Sequence, residues 1–321
     1  MRRSRLVSVL FALTLLLSVT AAAFAEDTAS GAQIKLMGET ELSWVCGEPW
    51  HDPGFTAVDA EGKSRITDVE IEGEVIPWRP GYYKLRYVLT EGDEEIAEAT
   101  RTVHVTAQTL PETVQPPKGT ICLTFDDGPC ENTEEALEVL ARYGVKATFF
   151  VVTNQTKYLH LLPKILEQGH TLGIHCNDHR SYGWLYQSEE NYFSDLMTAQ
   201  QVVHDYTGQY AHVVRFPGGS RTASFLAAAF PGGYDELYRV MRDAGVRAYD
   251  WNVQPESSTK TTEGTFIDFS HPQEPYEYAV VLQHDARLFS VRALESMIEW
   301  ALKEGYTFAA LDETYPEVHF E

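Results

Sequence analysis

Cysteine and positive charge are both scarce in this chain of 321 residues. The four cysteines, Cys46, Cys122, Cys130 and Cys176, are too few and too scattered for a disulfide scaffold, and none stands in the CxxC spacing of a thiolate zinc site. They leave room for a single opportunistic bridge. Against 25 Lys and Arg stand 47 Asp and Glu, a formal charge of −22. A surface without basic patches cannot draw counterions off a polyanion, which excludes nucleic acid and anionic polymers as partners and favours a neutral or cationic one.

Long apolar runs are missing too, except at the start. There Arg2, Arg3 and Arg5 precede an apolar stretch from Leu6 and the small-residue site Ala23-Phe24-Ala25, the pattern of a secretory signal over residues 1–25. Cleavage would start the mature chain at Glu26 and, by removing three arginines and no acid, take the charge from −22 to −25. The expected location is extracellular or at the cell wall. Because the stretch is about 20 residues long, near the bilayer span, the alternative is an uncleaved N-terminal anchor.

With 44% hydrophobic residues the chain can fill two cores. Residues 26–106 show short alternating segments such as "GYYKLRYVLT" and "EATRTVHVT", broken by Gly, Pro and Asp, which predict a small antiparallel sandwich. Its tryptophans, Trp44, Trp50 and Trp78, suit core or rim packing. Residues 107–118, "AQTLPETVQPPK", read as a semi-rigid proline-rich linker that few contacts cross, so that a chain beginning near Pro116 should fold alone.

From residue 119 to 321 the texture changes. Seven apolar strand-like runs, from "TICLTF" to "YTFAAL", alternate with amphipathic helical ones, the pattern of a parallel α/β barrel. Only "SSTKTTEGTFIDFSHPQEPYEY" lacks a helical period, so a barrel helix is expected to be replaced there by a loop. Functional residues of such barrels sit at strand C-termini, and the strands here end on Asp126-Asp127, His175, Arg215, Asp250 and His284.

"HCNDH" sets His175 and His179 four residues apart, close enough to grip one ion. With a carboxylate from the first strand they make an N2O triad with open positions, the donor set of a catalytic zinc site. That gives the adjacent aspartates of "TFDDGP" separate tasks: one binds the metal while its neighbour stays free to take a proton from water. The remaining histidines follow no ligand spacing, and Phe149, Phe150 and Phe216 read as barrel packing.

In order, "TFDDGP", "HCNDH", "RFPGG", "YDWN" and "LQH" resemble the motifs of the polysaccharide deacetylase family, the NodB-homology or family 4 carbohydrate esterases, from Thr120 to the end. Over Ile34–Val105, Asp52-Pro53-Gly54, Pro80-Gly81-Tyr82-Tyr83 and Arg101-Thr102-Val103 resemble bacterial Ig-like domains. The resemblance implies an α/β catalytic domain, a distorted (β/α)7 barrel, preceded by an all-β Ig-like sandwich. It implies a hydrolase, acting as a monomer, that removes N-acetyl groups from N-acetylglucosamine-containing polysaccharide, peptidoglycan first. The alternatives are an O-deacetylase of acetylated xylan and a non-catalytic cell-wall-binding protein on the same scaffold.

By the same resemblance Asp127, His175 and His179 hold one divalent ion, Zn2+ with Co2+ or Ni2+ as alternatives. Asp126 is the general base, kept ionised by Arg215, and His284 the general acid. Gly218 supplies an oxyanion N–H, Pro217 walls the groove, and Trp251 either packs beneath the site or lines a pocket for the acetyl methyl. Two positions depart from the pattern. Cys176 stands where the family carries Ser or Thr, which implies a less firmly braced metal loop and offers a soft ligand. Gln254 stands where many relatives have the acid that orients the catalytic histidine, which implies a weaker hold on His284 unless Asp250, Glu256 or Asp285 reaches its ring instead.

Overall fold

Alternating side chains between Gln33 and Thr106 build six strands: β1 (Gln33–Leu36), β2 (Glu41–Val45), β3 (Phe55–Val58), β4 (Val69–Glu72), β5 (Gly81–Glu91) and β6 (Glu94–Thr106). The computed structural model describes residues 31–179, 181–258 and 260–320; the expected signal or anchor lies outside them. The long hairpin β5–β6 sends Leu85, Tyr87, Leu89, Val103 and Val105 into the core. β1 pairs with β3, and β2, β6, β5 and β4 form the second sheet. One pairing departs from the antiparallel expectation: β2 runs parallel to β6.

Among its described residues the second half holds seven strands, β7 (Thr120–Asp126), β8 (Thr148–Val152), β9 (Thr171–Cys176), β10 (Val213–Val214), β11 (Arg247–Ala248), β12 (Tyr278–His284) and β13 (Thr307–Phe308). All pair in parallel, in the order β11-β10-β9-β8-β7-β12, with β13 against the first two residues of β7. The seam between β11 and β12 is crossed by a short stretch in which residues 252 and 253 hydrogen-bond to Val280 and Leu282, so the sheet curls into a distorted barrel. β7 and β8 are buried along their whole length because a parallel strand here is covered on both faces.

Among the described residues eight α-helices lie around it: α1 (Thr133–Tyr143), α2 (Leu162–Glu167), α3 (Tyr182–Leu185), α4 (Glu189–Thr207), α5 (Gly219–Leu226), α6 (Gly233–Asp243), α7 (Thr262–Ser270) and α8 (Leu288–Lys303). Local chemistry sets their ends. Glu134 and Glu135 favour the first turn of α1 and Gly144, at φ 65°, ends it, while the Ser188 hydroxyl accepts the Asn191 N–H to start α4. α7 corrects the expected loop: Thr261 caps it and its buried Phe269 packs edge-on against Trp300 of α8, so packing supplies what periodicity lacks. Among the described residues no helix is long and apolar enough to cross a membrane.

The two halves are joined by much more than a linker. Trp78 lies flat on Phe193 of α4, with ring centroids 5.5 Å apart and planes at 9°. Beside it the Arg79 guanidinium donates to Glu189 of α4 at 2.7 Å and to Glu236 of α6 at 2.9 Å. Gln108 Nε2 donates to the carbonyls of Cys46 (2.7 Å) and Ala244 (3.0 Å), and a Cβ on Gly47 would come within 2.4 Å of the Ala244 oxygen. The proline-rich stretch is itself pinned, Val114 N–H donating to Thr314 and Arg247 to the Pro111 carbonyl. This reverses the expectation that few contacts cross the boundary.

Trp78→Ala is therefore expected to cost about 2 kcal/mol of stability, less than a fully buried tryptophan because Trp78 is half-buried. A chain beginning at Pro116 should melt lower still, with Phe193 and Ala244 uncovered. Calorimetric unfolding midpoints equal to that of the intact chain for both proteins would show that the interface carries no stability.

Candidate active site

β7 delivers Asp126 as its last residue, and parallel register sets it opposite His284, the last residue of β12. The chain then turns: Asp127 has φ 72°, a left-handed conformation that non-glycine residues seldom adopt and that collects at functional sites. The turn lets neighbouring carboxylates serve different partners. Gly128 is obligatory next to it, since a Cβ there would lie 2.2 Å from Asp285 Oδ2. Asp285 itself packs beneath the turn, takes the Thr133 hydroxyl, and has its carboxyl pushed up to about 7 by burial.

Against β8, β9 has one extra residue, His175, a bulge of the kind that re-aims a side chain. Its Nδ1 donates to the Arg215 carbonyl at 2.7 Å, which leaves Nε2 as the lone-pair nitrogen facing the mouth. His175 Nε2 and His179 Nε2 are 3.2 Å apart, and each is 3.7 Å from Asp127 Oδ1. Asp127 Oδ1 is buried without any hydrogen-bond partner. Two imidazole nitrogens and an orphaned carboxylate oxygen converging on one point fit a divalent cation. Burial pushes the His175 pKa down, against the pull of Asp127, so the ring is neutral as a ligand must be.

The loop carrying these groups is braced, contrary to the expectation from Cys176. The buried Asp195 of α4 accepts the N–H groups of Asn177 (2.7 Å) and Asp178 (3.0 Å), and Thr153 donates to the Asn177 side chain. Cys176 does not join the converging set; its thiol is buried, and burial, then Asp195, raise its pKa. All four cysteines are free and buried, so the opportunistic bridge does not form.

Asp126 is 3% exposed and accepts Arg215 Nη1 at 2.8 Å. Burial pushes its carboxyl up despite Arg215 and His284, so the arginine limits the rise rather than abolishing it. Across the mouth His284 Nδ1 donates to Glu256 at 2.8 Å, and Glu256 also takes the His284 backbone N–H and the Arg287 guanidinium. Burial disfavours the charged ring, but Glu256 and Asp126 outweigh it and hold His284 above the ordinary histidine value. Gln254 does not touch His284; it accepts the Trp251 indole N–H at 3.2 Å. The orienting acid thus stands two residues further on, so the weaker hold expected on His284 is not found. Glu256 was one of three acids the sequence offered and Arg287 carried no signal, because an irregular segment crossing the barrel seam positions the first and a helix cap the second.

Asp126, Asp127, His175, His179, His284 and Trp251 line one cavity of about 370 Å³, with Gly218 at its edge in a left-handed conformation (φ 79°) ahead of α5. Pro217 is fixed by the Tyr186 hydroxyl on its carbonyl (3.0 Å), and Trp251 both lines the cavity and packs over the Arg215 guanidinium at 5.6 Å. Of the strand-end residues, Arg215 lies behind the cavity wall and reaches it through Asp126, and Asp250 does not join at all: it accepts Ser220 and Phe320 N–H groups at 2.7 and 2.9 Å.

Comparison with known proteins agrees with this geometry. The family profile described as polysaccharide deacetylase matches residues 113–237, and that of the bacterial surface protein Ig-like domain matches residues 34–105. The solved catalytic domain of a peptidoglycan N-acetylglucosamine deacetylase from Eubacterium rectale is 34% identical and superposes with a TM-score of 0.59 over 66% of this chain and 96% of that one. A peptidoglycan-N-acetylglucosamine deacetylase of Bacillus cereus is 27% identical over 62% of this chain and 70% of its own. The Listeria monocytogenes deacetylase PgdA is 29% identical over 61% of this chain, which spans only 39% of that protein.

Protein purified without chelator is expected to hold one divalent ion per chain, measured by elemental analysis. His175→Ala and His179→Ala should each lose it. Full occupancy in both variants would remove the triad.

Proposed function

The chain belongs to the polysaccharide deacetylase family, and on that premise we propose that it is a secreted, metal-dependent enzyme that hydrolyses the N-acetyl group of N-acetylglucosamine units in peptidoglycan. One observation carries the reading: the convergent Asp127, His175 and His179 share a cavity with Asp126 and His284, each of which is held by a buried partner of its own, Arg215 and Glu256. The names of the relatives support peptidoglycan as the polymer.

A divalent ion on Asp127, His175 and His179, zinc by its N2O donor set, would polarise the acetamide carbonyl. Asp126 takes a proton from the attacking water, with Arg215 holding one carboxylate oxygen so that the other faces the cavity. Water oxygen bonds to the carbonyl carbon, and the developing oxyanion meets the N–H of Gly218 at the start of α5. As the C–N bond breaks, His284 gives its proton to the leaving amine, and Glu256 stabilises the charged ring until then. Acetate and a free amine are the products. Trp251 and Leu282 bound the space left for the acetyl methyl.

Asp126→Asn should keep its metal while the rate of acetate release from peptidoglycan falls about 10²–10⁴-fold. Wild-type turnover from a metal-loaded Asp126→Asn protein would eliminate Asp126 as the base, and undiminished release by wild type in excess chelator would eliminate the metal.

The proton donor predicts a pH effect. His284 must be protonated to act, so activity is lost as pH rises through its elevated pKa. Removing the negative charge in Glu256→Gln lowers that pKa, and the alkaline limb of the rate profile should move to lower pH. Gln254→Asp should leave it in place because Glu256 already holds Nδ1. The reverse pattern in the two profiles would transfer the orienting role to position 254.

A further inference from the structure

The three converging donors come from two loops that are far apart in the chain: Asp127 from the turn after β7, and His175 and His179 from the end of β9 and the loop beyond it. β8 lies between those strands in the sheet, and the segment that follows it, Thr153-Asn154-Gln155, reaches both loops. On one side the Val152 N–H donates to the Gly128 carbonyl at 2.7 Å and Gln155 Nε2 to the Asp127 carbonyl at 2.9 Å. On the other, the N–H groups of Thr153 and Asn154 donate to the carbonyls of Cys176 (3.2 Å) and Asn177 (3.1 Å), and the Thr153 hydroxyl donates to Asn177 Oδ1 at 3.0 Å.

These bonds fall where the backbone needs them. The left-handed conformation of Asp127 is unfavourable for a residue with a side chain, and Gln155 and Val152 hold the carbonyl of that residue and of the next. His175 is the extra residue of β9 against β8, so the pairing is interrupted there, and Thr153 and Asn154 resume it beyond the bulge. Asp195 anchors the histidine loop to α4, whereas this segment ties the same loop to the turn of Asp127. Thr153 is 1% exposed, but Gln155 is exposed and commits its amide to a backbone carbonyl. Ordering a long side chain costs conformational entropy that burial does not offset at an exposed position, so the bond itself is what keeps Gln155 in place.

We propose that Thr153 and Gln155 are positioning residues that set the separation of Asp127 from His175 and His179, and through it the affinity of the site for a divalent cation. Neither side chain touches a donor atom. Each acts on the backbone of a loop that carries one, Gln155 on the turn of Asp127 and Thr153 on the loop between His175 and His179. Donors that bind as a set must be held to about 0.5 Å, and two loops anchored only to their own strands would shift independently of one another. The proposal rests on the metal-dependent reading given above and is indifferent to which polymer is the substrate.

The test is the zinc affinity of the intact protein, measured by competition with a chromophoric chelator. Gln155→Met keeps the length of the side chain and removes its donor; Thr153→Val keeps the shape and removes the hydroxyl, which Thr153→Ser restores. Gln155→Met and Thr153→Val should each weaken zinc binding about threefold to tenfold, the loss of one neutral hydrogen bond, while Thr153→Ser stays within about twofold of wild type. The melting midpoint of metal-free Gln155→Met should equal that of metal-free wild type, which separates placement of the donors from stability of the fold. Wild-type zinc affinity in both Gln155→Met and Thr153→Val overturns the proposal. So does a loss confined to Thr153→Val and accompanied by a lower metal-free melting midpoint, since the fold rather than the separation of the loops would then be at fault. A wild-type protein that binds no zinc, cobalt or nickel overturns the metal-dependent reading and the proposal with it, whereas one that binds zinc but releases no acetate overturns the deacetylase reading alone.

Discussion

The fully buried guanidinium of Arg215 donates to the Thr124 hydroxyl and Asp126 on β7 and to the carbonyls of Tyr249 and Asp250 beyond β11, with its face 4.3 Å over the Phe150 ring of β8. Its own carbonyl receives His175. One side chain therefore ties together strands from both sides of a barrel whose seam is otherwise held by the short stretch at residues 252 and 253. A planar fork can hold four acceptors at fixed angles where an ammonium could not. The interior position makes the arrangement all-or-none: a buried charge that loses its partner costs about 3–5 kcal/mol. The proposed base and the first candidate ligand thus inherit their geometry from the same group.

Charge is divided across the mouth in a way the bulk acidity of the chain does not suggest. Asp126 is matched by Arg215 and Glu256 by His284 and Arg287, whereas Asp127 has one oxygen with no protein partner. Only that last group calls for a cation from outside. The left-handed turn at Asp127 keeps it from competing with Asp126 for the arginine, and the strain is retained because Gly128 and Asp285 fit together beneath it.

The seven parallel strands of the barrel, its strand-end polar residues and the candidate ligands were legible in the sequence because each rests on a short local pattern: apolar runs alternating with helical ones, period-four spacing, and a turn after an apolar run. What was illegible depends on where distant segments cross. Glu256 reaches His284 only because residues 252 and 253 lie against β12. α7 forms from "TEGTFIDFS", which lacks a helical period, because Phe269 has Trp300 to pack on. Asp250 reads as one more strand-end carboxylate and instead clamps a C-terminal stretch whose course no spacing rule fixes. The brace from Asp195 to the amides of residues 177 and 178 is of the same kind.

Trp78 and Arg79 grip the first turns of α4, and two turns on from Glu189 the same helix carries Asp195, which holds the loop of His179. The sandwich is in this sense a splint for the loop rather than a tether for the barrel. Family profiles divide the chain between residues 105 and 113, but Trp78, Arg79 and Gln108 hold the two sides together across that division. A barrel joined to a different N-terminal module would lose the stacking of Trp78, the ion pairs of Arg79 and the carbonyl clamp of Gln108, and with them the support these give to α4.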